Sequence, residues 1–155
     1  MADERPRPAG KYFEEFSLGD TMVTPARTVT ETDIVLFAGL SGDYNQLHTD
    51  AEFAKGSRFG ERIAHGLLGL AVALGLASRL GLLEGTTLAF MGLDWRFREA
   101  IMIGDTVHAV VRVAQSREMG RLGGGLVVFA IELVNQRGET VQDGKWNILV
   151  KSKES

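Results

Sequence analysis

The sequence predicts an α+β fold in which a curved antiparallel sheet wraps around one long, buried helix. Two observations carry this. Residues from about His65 to Leu80 form an apolar stretch with almost no polar face, and residues from about Ala89 onward break into four runs of alternating apolar and polar positions. A helix apolar on most sides must be covered on most sides. Half-buried strands that follow it in the same chain supply the cover.

With 155 residues the chain is read as one domain over 11–155, preceded by a polar, proline-bearing tail over 1–10. The net charge of −3, without a Lys/Arg cluster, argues against nucleic acid as a partner. The absence of cysteine excludes disulfides, thiolate catalysis and cysteine metal sites. The longest run without a formal charge, Ile63 to Ser78, falls short of the roughly 18 residues of a membrane span. The first ten residues also lack the apolar segment of a signal peptide, so no membrane association and a cytoplasmic location are expected.

In chain order, Thr21 to Val29 reads as a strand that Pro25 confines to an edge or a bulge. Thr30-Glu31-Thr32-Asp33 has the pattern of a helix N-cap, with Ile34, Leu36, Phe37 and Leu40 as its apolar stripe and Ser41-Gly42 as its stop. Thr49-Asp50-Ala51-Glu52 matches a capping box for a short helix over about 50–55, and Gly56 to Arg62 reads as loop. The long helix is slim, and Gly66, Gly69 and Gly75 inside it predict close approach to another backbone, since each costs roughly 1 kcal/mol against alanine. Ala89–Phe97, Val107–Val113, Phe129–Leu133 and Trp146–Val150 are the four alternating strands. Asn135–Glu139 with Gly138 is a hairpin loop, and Gly123-Gly124-Gly125 a flexible turn.

The chemistry concentrates in Ser41-Gly42-Asp43-Tyr44-Asn45-Gln46-Leu47-His48, which sets a carboxylate and an imidazole five residues apart. Such a pair can share a water and move protons in both directions, since histidine titrates near neutral pH. Ile63-Ala64-His65-Gly66-Leu67-Leu68 opens the long helix, and a helix start offers unpaired N–H groups to an oxygen gaining charge. An acid/base pair followed by an oxyanion site points to chemistry beside a carbonyl. Taken alone, Asp43 reads as a turn carboxylate, His48 as a structural histidine, Gly66 as helix-start packing, and His65 as a capping or packing residue. A metal held by Asp43, His48 and His65 does not fit the i, i+5 spacing of a non-helical loop, and none is expected.

The run Phe37-Ala38-Gly39-Leu40-Ser41-Gly42-Asp43-Tyr44-Asn45-Gln46-Leu47-His48 resembles the signature of MaoC-like dehydratases, the (R)-specific enoyl-CoA hydratase family. Ile63–Leu68 matches that family's second motif, and Phe97 through Gly104-Asp105-Thr106 is similar to a third. The sequence departs from the pattern at Gln46 and Ala100, where proline is usual, and at Ala71, where some hydratases place a serine.

The resemblance implies a hot-dog fold, a homodimer or higher homo-oligomer, and an acyl-CoA thioester as substrate. The reaction it implies is reversible syn hydration of a trans-2-enoyl thioester to an (R)-3-hydroxyacyl product, with no cofactor. Asp43 and His48 would be the catalytic pair and the Gly66 N–H the donor to the thioester oxygen. Asn45 would brace the loop, and Arg96, Arg98, Lys145 and Lys151 are candidates for the CoA phosphates. The rival readings are a hot-dog acyl-CoA thioesterase and a non-catalytic acyl-CoA-binding module.

Overall fold

A computed structural model describes residues 9–153. Most of the expected tail therefore lies outside the described residues. From Gly10 the chain is anchored, its N–H donating to the Glu84 carbonyl at 2.9 Å and the Lys11 N–H to the Leu82 carbonyl at 2.8 Å.

The first strand splits into β1 (Thr21–Val23) and β2 (Arg27–Thr28), with Pro25 in the gap. Both pair antiparallel with β4 alone, the edge placement that proline demands. Helix α1 (Glu31–Ser41) starts with a reciprocal capping box. Thr30 Oγ1 accepts from the Asp33 N–H, and the Asp33 carboxylate accepts from the Thr30 N–H at 2.8 Å. Such a cap stabilises a helix by about 1 kcal/mol. Gly42 ends it at φ 76°, which a side chain would resist.

Ile34 and Ala38 are the buried face of α1, whereas Leu36 and Leu40, expected in the same stripe, are exposed. At about 100° per residue they lie some 200–240° around the helix from Ile34. They form a second apolar stripe of their own.

Two short helices follow, α2 (Gln46–Thr49) and α3 (Ala51–Lys55). Four residues are too few to show a period, so the first was unreadable in a segment expected to be loop. The α3 cap is Asp50, which accepts from the Phe53 N–H at 2.9 Å. Thr49, expected to open the capping box, instead donates to the Tyr44 and Asn45 carbonyls.

The long helix, α4 (Gly66–Ser78), buries Leu68, Gly69, Val72, Ala73 and Leu76. Its other face is open, with Leu67 59% and Leu74 49% exposed. The expectation of cover on most sides is thus only partly met. The glycines do not meet another backbone. Side chains occupy the space at Gly66 and Gly69, and nothing approaches Gly75.

The remaining strands are β3 (Thr87–Phe97), β4 (Thr106–Met119), β5 (Gly124–Asn135) and β6 (Thr140–Lys151). They form one antiparallel sheet in the order β1-β4-β5-β6-β3, with β2 also on β4. Alternation places Val107, Ala109, Val111, Val113, Phe129, Ile131, Leu133, Trp146, Ile148 and Val150 in one core with α4. This is the hot-dog arrangement, a helix wrapped by a sheet.

Strand β3 does not alternate. It is the edge strand, it has two register shifts against β6, and neither face is uniformly buried. The 135–139 hairpin closes as expected, with the Asn135 N–H donating to the Glu139 carbonyl at 2.9 Å. Of the three consecutive glycines only Gly123 is in the turn; Gly124 and Gly125 already belong to β5. Among the described residues, no helix is long and apolar enough to cross a membrane.

Candidate active site

Asp43, His48 and His65 converge although 22 residues separate the first from the last, and one side-chain N or O atom of each lies within 4.8 Å of the others. The Asp43 backbone is held on both sides. Its N–H donates to Ser41 Oγ at 3.1 Å, and its carbonyl accepts from His65 Nε2 at 2.9 Å. Its Oδ1 accepts the Asn45 N–H at 3.1 Å, and Asn45 Oδ1 in turn accepts the Leu47 N–H at 3.0 Å to cap α2. That helix presents His48.

His48 Nδ1 lies 2.8 Å from the Ile63 carbonyl. A carbonyl only accepts, so Nδ1 carries the proton and Nε2 presents a lone pair. The same logic puts the His65 proton on Nε2. His65 Nδ1 is then a bare acceptor, buried and without a hydrogen-bond partner. His65, 2% exposed, stacks on His48 with ring centroids 3.9 Å apart and planes inclined at 26°. Phe37 closes on its other side at 4.9 Å. His65 is therefore in ring contact with both His48 and Phe37.

The stack also bears on metal binding. A metal must lie in the plane of each imidazole that binds it, about 2 Å from the nitrogen. With ring centroids 3.9 Å apart and planes inclined at only 26°, the two imidazoles lie nearly face to face rather than in a shared plane. A face-to-face stack is an unfavourable arrangement for two imidazoles to share one ion, although one nitrogen of each and an Asp43 carboxylate oxygen lie within 4.8 Å of one another.

These residues line a cleft of about 450 Å³ together with Ile63, Gly66, Phe97, Arg98 and Gln142. Gly66 is the first residue of α4, where the backbone N–H has no intrahelical acceptor. A methyl group at position 66 would sit 2.8 Å from Phe97 Cε1, so a side chain of this protein fills the space that glycine leaves. The Gly66 carbonyl accepts from Gln142 Nε2 at 3.0 Å.

The third motif supports this cluster from behind. Ala64 donates its N–H to the Ile101 carbonyl at 2.9 Å, and Ile63 bridges to Met102. The Asp105 carboxylate ties that loop down, accepting from the Met102 N–H at 2.9 Å and Gln136 Nε2 at 2.7 Å. Burial alone would push the Asp105 carboxyl up, but those hydrogen bonds and the Arg137 guanidinium hold it below its ordinary value.

Of the basic residues expected near a phosphate, only Arg98 lines the cleft, and it pairs with Asp143 at 2.9 Å. Arg96 and Lys145 line a separate concavity shared with β1, β4 and β5, and Lys151 ends β6. Arg58, stacked over Phe59 at 4.7 Å, lines the cleft and was not anticipated. Nor was Gln142, whose place in the site depends on sheet register, and Phe97, which opens the third motif, was not assigned to the site. No short-range pattern in the sequence marks Gln142.

The MaoC like domain model matches residues 15–128. The chain is 43% identical over 107 residues to Protein MaoC of Klebsiella aerogenes, covering 68% of this chain but only 31% of that protein. To the (R)-specific enoyl-CoA hydratase of Rhodospirillum rubrum it is 38% identical over 103 residues, 66% of this chain and 69% of that one. Among solved structures, a chain described as a monoamine oxidase regulatory protein from an Archaeoglobus species superposes with TM-score 0.88 at 38% identity, covering 93% of this chain and 96% of that one. A Mycobacterium tuberculosis protein described as a double hot-dog fold matches with TM-score 0.80 at 21% identity, over 94% of this chain and 45% of that one. The match thus spans under a third of the Klebsiella protein and about two thirds of the Rhodospirillum one, and this chain belongs to the MaoC-like domain family.

Proposed function

We propose that this protein is a hydro-lyase that reversibly hydrates trans-2-enoyl-CoA to (R)-3-hydroxyacyl-CoA. The observation that carries the reading is the approach of Asp43 and His48 to within 4.8 Å in a cleft that also contains the start of α4. Groups at that separation can each accept a hydrogen bond of about 2.8 Å from one water. The (R)-specific hydratase named among the relatives supports the reaction class.

In this mechanism the water lies between the Asp43 carboxylate and the bare Nε2 of His48. Its oxygen adds to the β-carbon of the enoyl thioester while one of the pair takes its proton. A carboxylate and a neutral imidazole hold no spare proton, so the proton that reaches the α-carbon is the one drawn from the water. Both additions are assigned to the same face, the syn course that the family resemblance implies. The negative charge that develops on the thioester oxygen is met by the Gly66 N–H and the positive end of α4. Asn45 acts on the loop, through the cap it provides to α2.

The active species is proposed to be a homodimer. Among the described residues, the outer edge of β3 is unpaired over 11 residues and bears exposed Leu88, Met91 and Leu93. Leu74 of α4 and Phe90 of β3 line one apolar hollow of about 300 Å³, so the open helix face and the open strand meet. An edge of that length and apolarity calls for a covering partner, and a second copy supplies a matching edge.

The test is to mix purified protein with crotonyl-CoA and follow both the conjugated enoyl-thioester absorbance and free CoA. Loss of absorbance without CoA release, with (R)-3-hydroxybutyryl-CoA as product, is expected. Release of free CoA would make the protein a thioesterase. No change with short, long or branched enoyl-CoA would leave a binding module.

A further inference from the structure

Gln142 is a polar side chain placed where the core would accept an apolar one. It lies on β6 opposite Phe97 of β3, lines the cleft and is 2% exposed. Its amide is fixed at both ends. Trp95 Nε1–H donates to Oε1 at 2.9 Å, and Nε2 donates to the Gly66 carbonyl at 3.0 Å. An indole nitrogen only donates and a carbonyl only accepts, so the amide has one possible orientation.

Gly69 makes the contact possible. A methyl group there would sit 2.2 Å from Gln142 Nε2, so only glycine at this position lets the amide lie across the first turn of α4. The bond is not needed to satisfy the backbone, because a carbonyl in the first turn already accepts from the N–H four residues on. What it adds is a second, fixed donor on the peptide that joins Gly66 to Leu67. That peptide's own N–H belongs to Leu67. Hydrogen bonding at the carbonyl end fixes the plane of the peptide and strengthens the N–H at the other end as a donor. Gly66 and Leu67 carry the first two free N–H groups of α4, and both line the cleft.

We propose that Gln142 is a positioning residue for the oxyanion site. Aligned by Trp95, its amide holds the first peptide of α4 so that the Gly66 and Leu67 N–H groups converge on the thioester oxygen. The proposal rests on the hydratase reading of this cleft. Gln142 acts through the backbone and exchanges no proton with substrate.

Two substitutions test it. Gln142→Met keeps the volume and removes both hydrogen bonds. Gln142→Glu keeps an acceptor for Trp95 but turns a second oxygen towards the Gly66 carbonyl. In Gln142→Met, kcat for crotonyl-CoA hydration is expected to fall about 10-fold, less than the roughly 10²–10³-fold lost when an oxyanion donor itself is removed. KM and the midpoint of the pH profile stay put, because Asp43 and His48 are untouched. The Gln142→Glu deficit relative to wild type shrinks as pH falls, since the protonated carboxyl regains a donor. Trp95→Phe, which frees the amide, lowers kcat in the same direction.

A readout independent of activity is the amide spectrum, in which the Leu67 proton moves upfield in Gln142→Met. An unmoved Leu67 amide, or an active wild type whose kcat survives Gln142→Met, overturns the proposal. An inactive wild type with a shifted Leu67 amide overturns the hydratase reading and leaves the hold of Gln142 on the helix start in place.

Discussion

Replacing Gly66 by alanine isolates the contact between the start of α4 and the end of β3. The added methyl would lie 2.8 Å from Phe97 Cε1 and 2.9 Å from Cδ1, against an ordinary carbon–carbon contact of about 3.5–4.0 Å. The ring must retreat by about 1 Å, at a cost of roughly 1–3 kcal/mol in a packed site. Phe97 is 55% exposed and ends an edge strand, which places the cost at the low end. Alanine's better helix propensity offsets up to about 1 kcal/mol.

Gly66→Ala alone should therefore destabilise by up to about 1 kcal/mol, moving a urea midpoint by up to about 0.5 M for a slope near 2 kcal/mol/M. Phe97→Ala alone should cost about 1–2 kcal/mol, less than a core phenylalanine. The double variant should be at least as stable as Phe97→Ala, since the clash is gone and alanine's helix propensity remains, a coupling of about 1 kcal/mol in the cycle. Urea unfolding of all four proteins measures this. Strictly additive losses would refute the claim that Phe97 is what requires glycine at 66. Regained activity in the double variant would further place the need for space with the ring rather than with the acyl group.

The Asp105 tie gives a pH-dependent prediction. Its carboxyl is held below its ordinary value of 3.8 in the folded chain, so its contribution is complete above that value and is lost as pH falls through the lowered one. Asp105→Asn should cost about 1–3 kcal/mol at pH 7, with the gap to wild type narrowing below about pH 4 in urea unfolding; a gap independent of pH would contradict it. Leu74→Glu puts a charge on the open face of α4, and on the proposed assembly light scattering should find a dimeric wild type and a folded monomeric variant. A dimeric Leu74→Glu protein would move the interface elsewhere.

The parts of the fold that could be read from the sequence are those with short-range causes. The Thr30–Asp33 cap, the 135–139 hairpin and the alternation of β4, β5 and β6 each lie within a few residues, and each forms as expected. Asp43, Asn45 and His48 come together because one loop and one helical turn carry them. What escaped depends on register. Gln142 reaches Gly66 across 76 residues, and Phe97 fills the space at Gly66 only because β3 ends beside α4.

The open stripe of α4 escaped for another reason. Leucine in a helix reads the same whether this chain or a second copy covers it. His65 was visible, but its stacking on His48 required the fold to bring two turns face to face.

The central claim is that Asp43 and His48 act together on one water. Its most direct test is the crotonyl-CoA hydration rate of Asp43→Asn and His48→Ala beside wild type and the double variant, each confirmed as folded. The account predicts a loss of about 10²-fold or more in each single variant. The double variant should lose little beyond the worse single one, as expected for groups that work as a unit. Either single variant retaining near wild-type rate would contradict the shared-water mechanism.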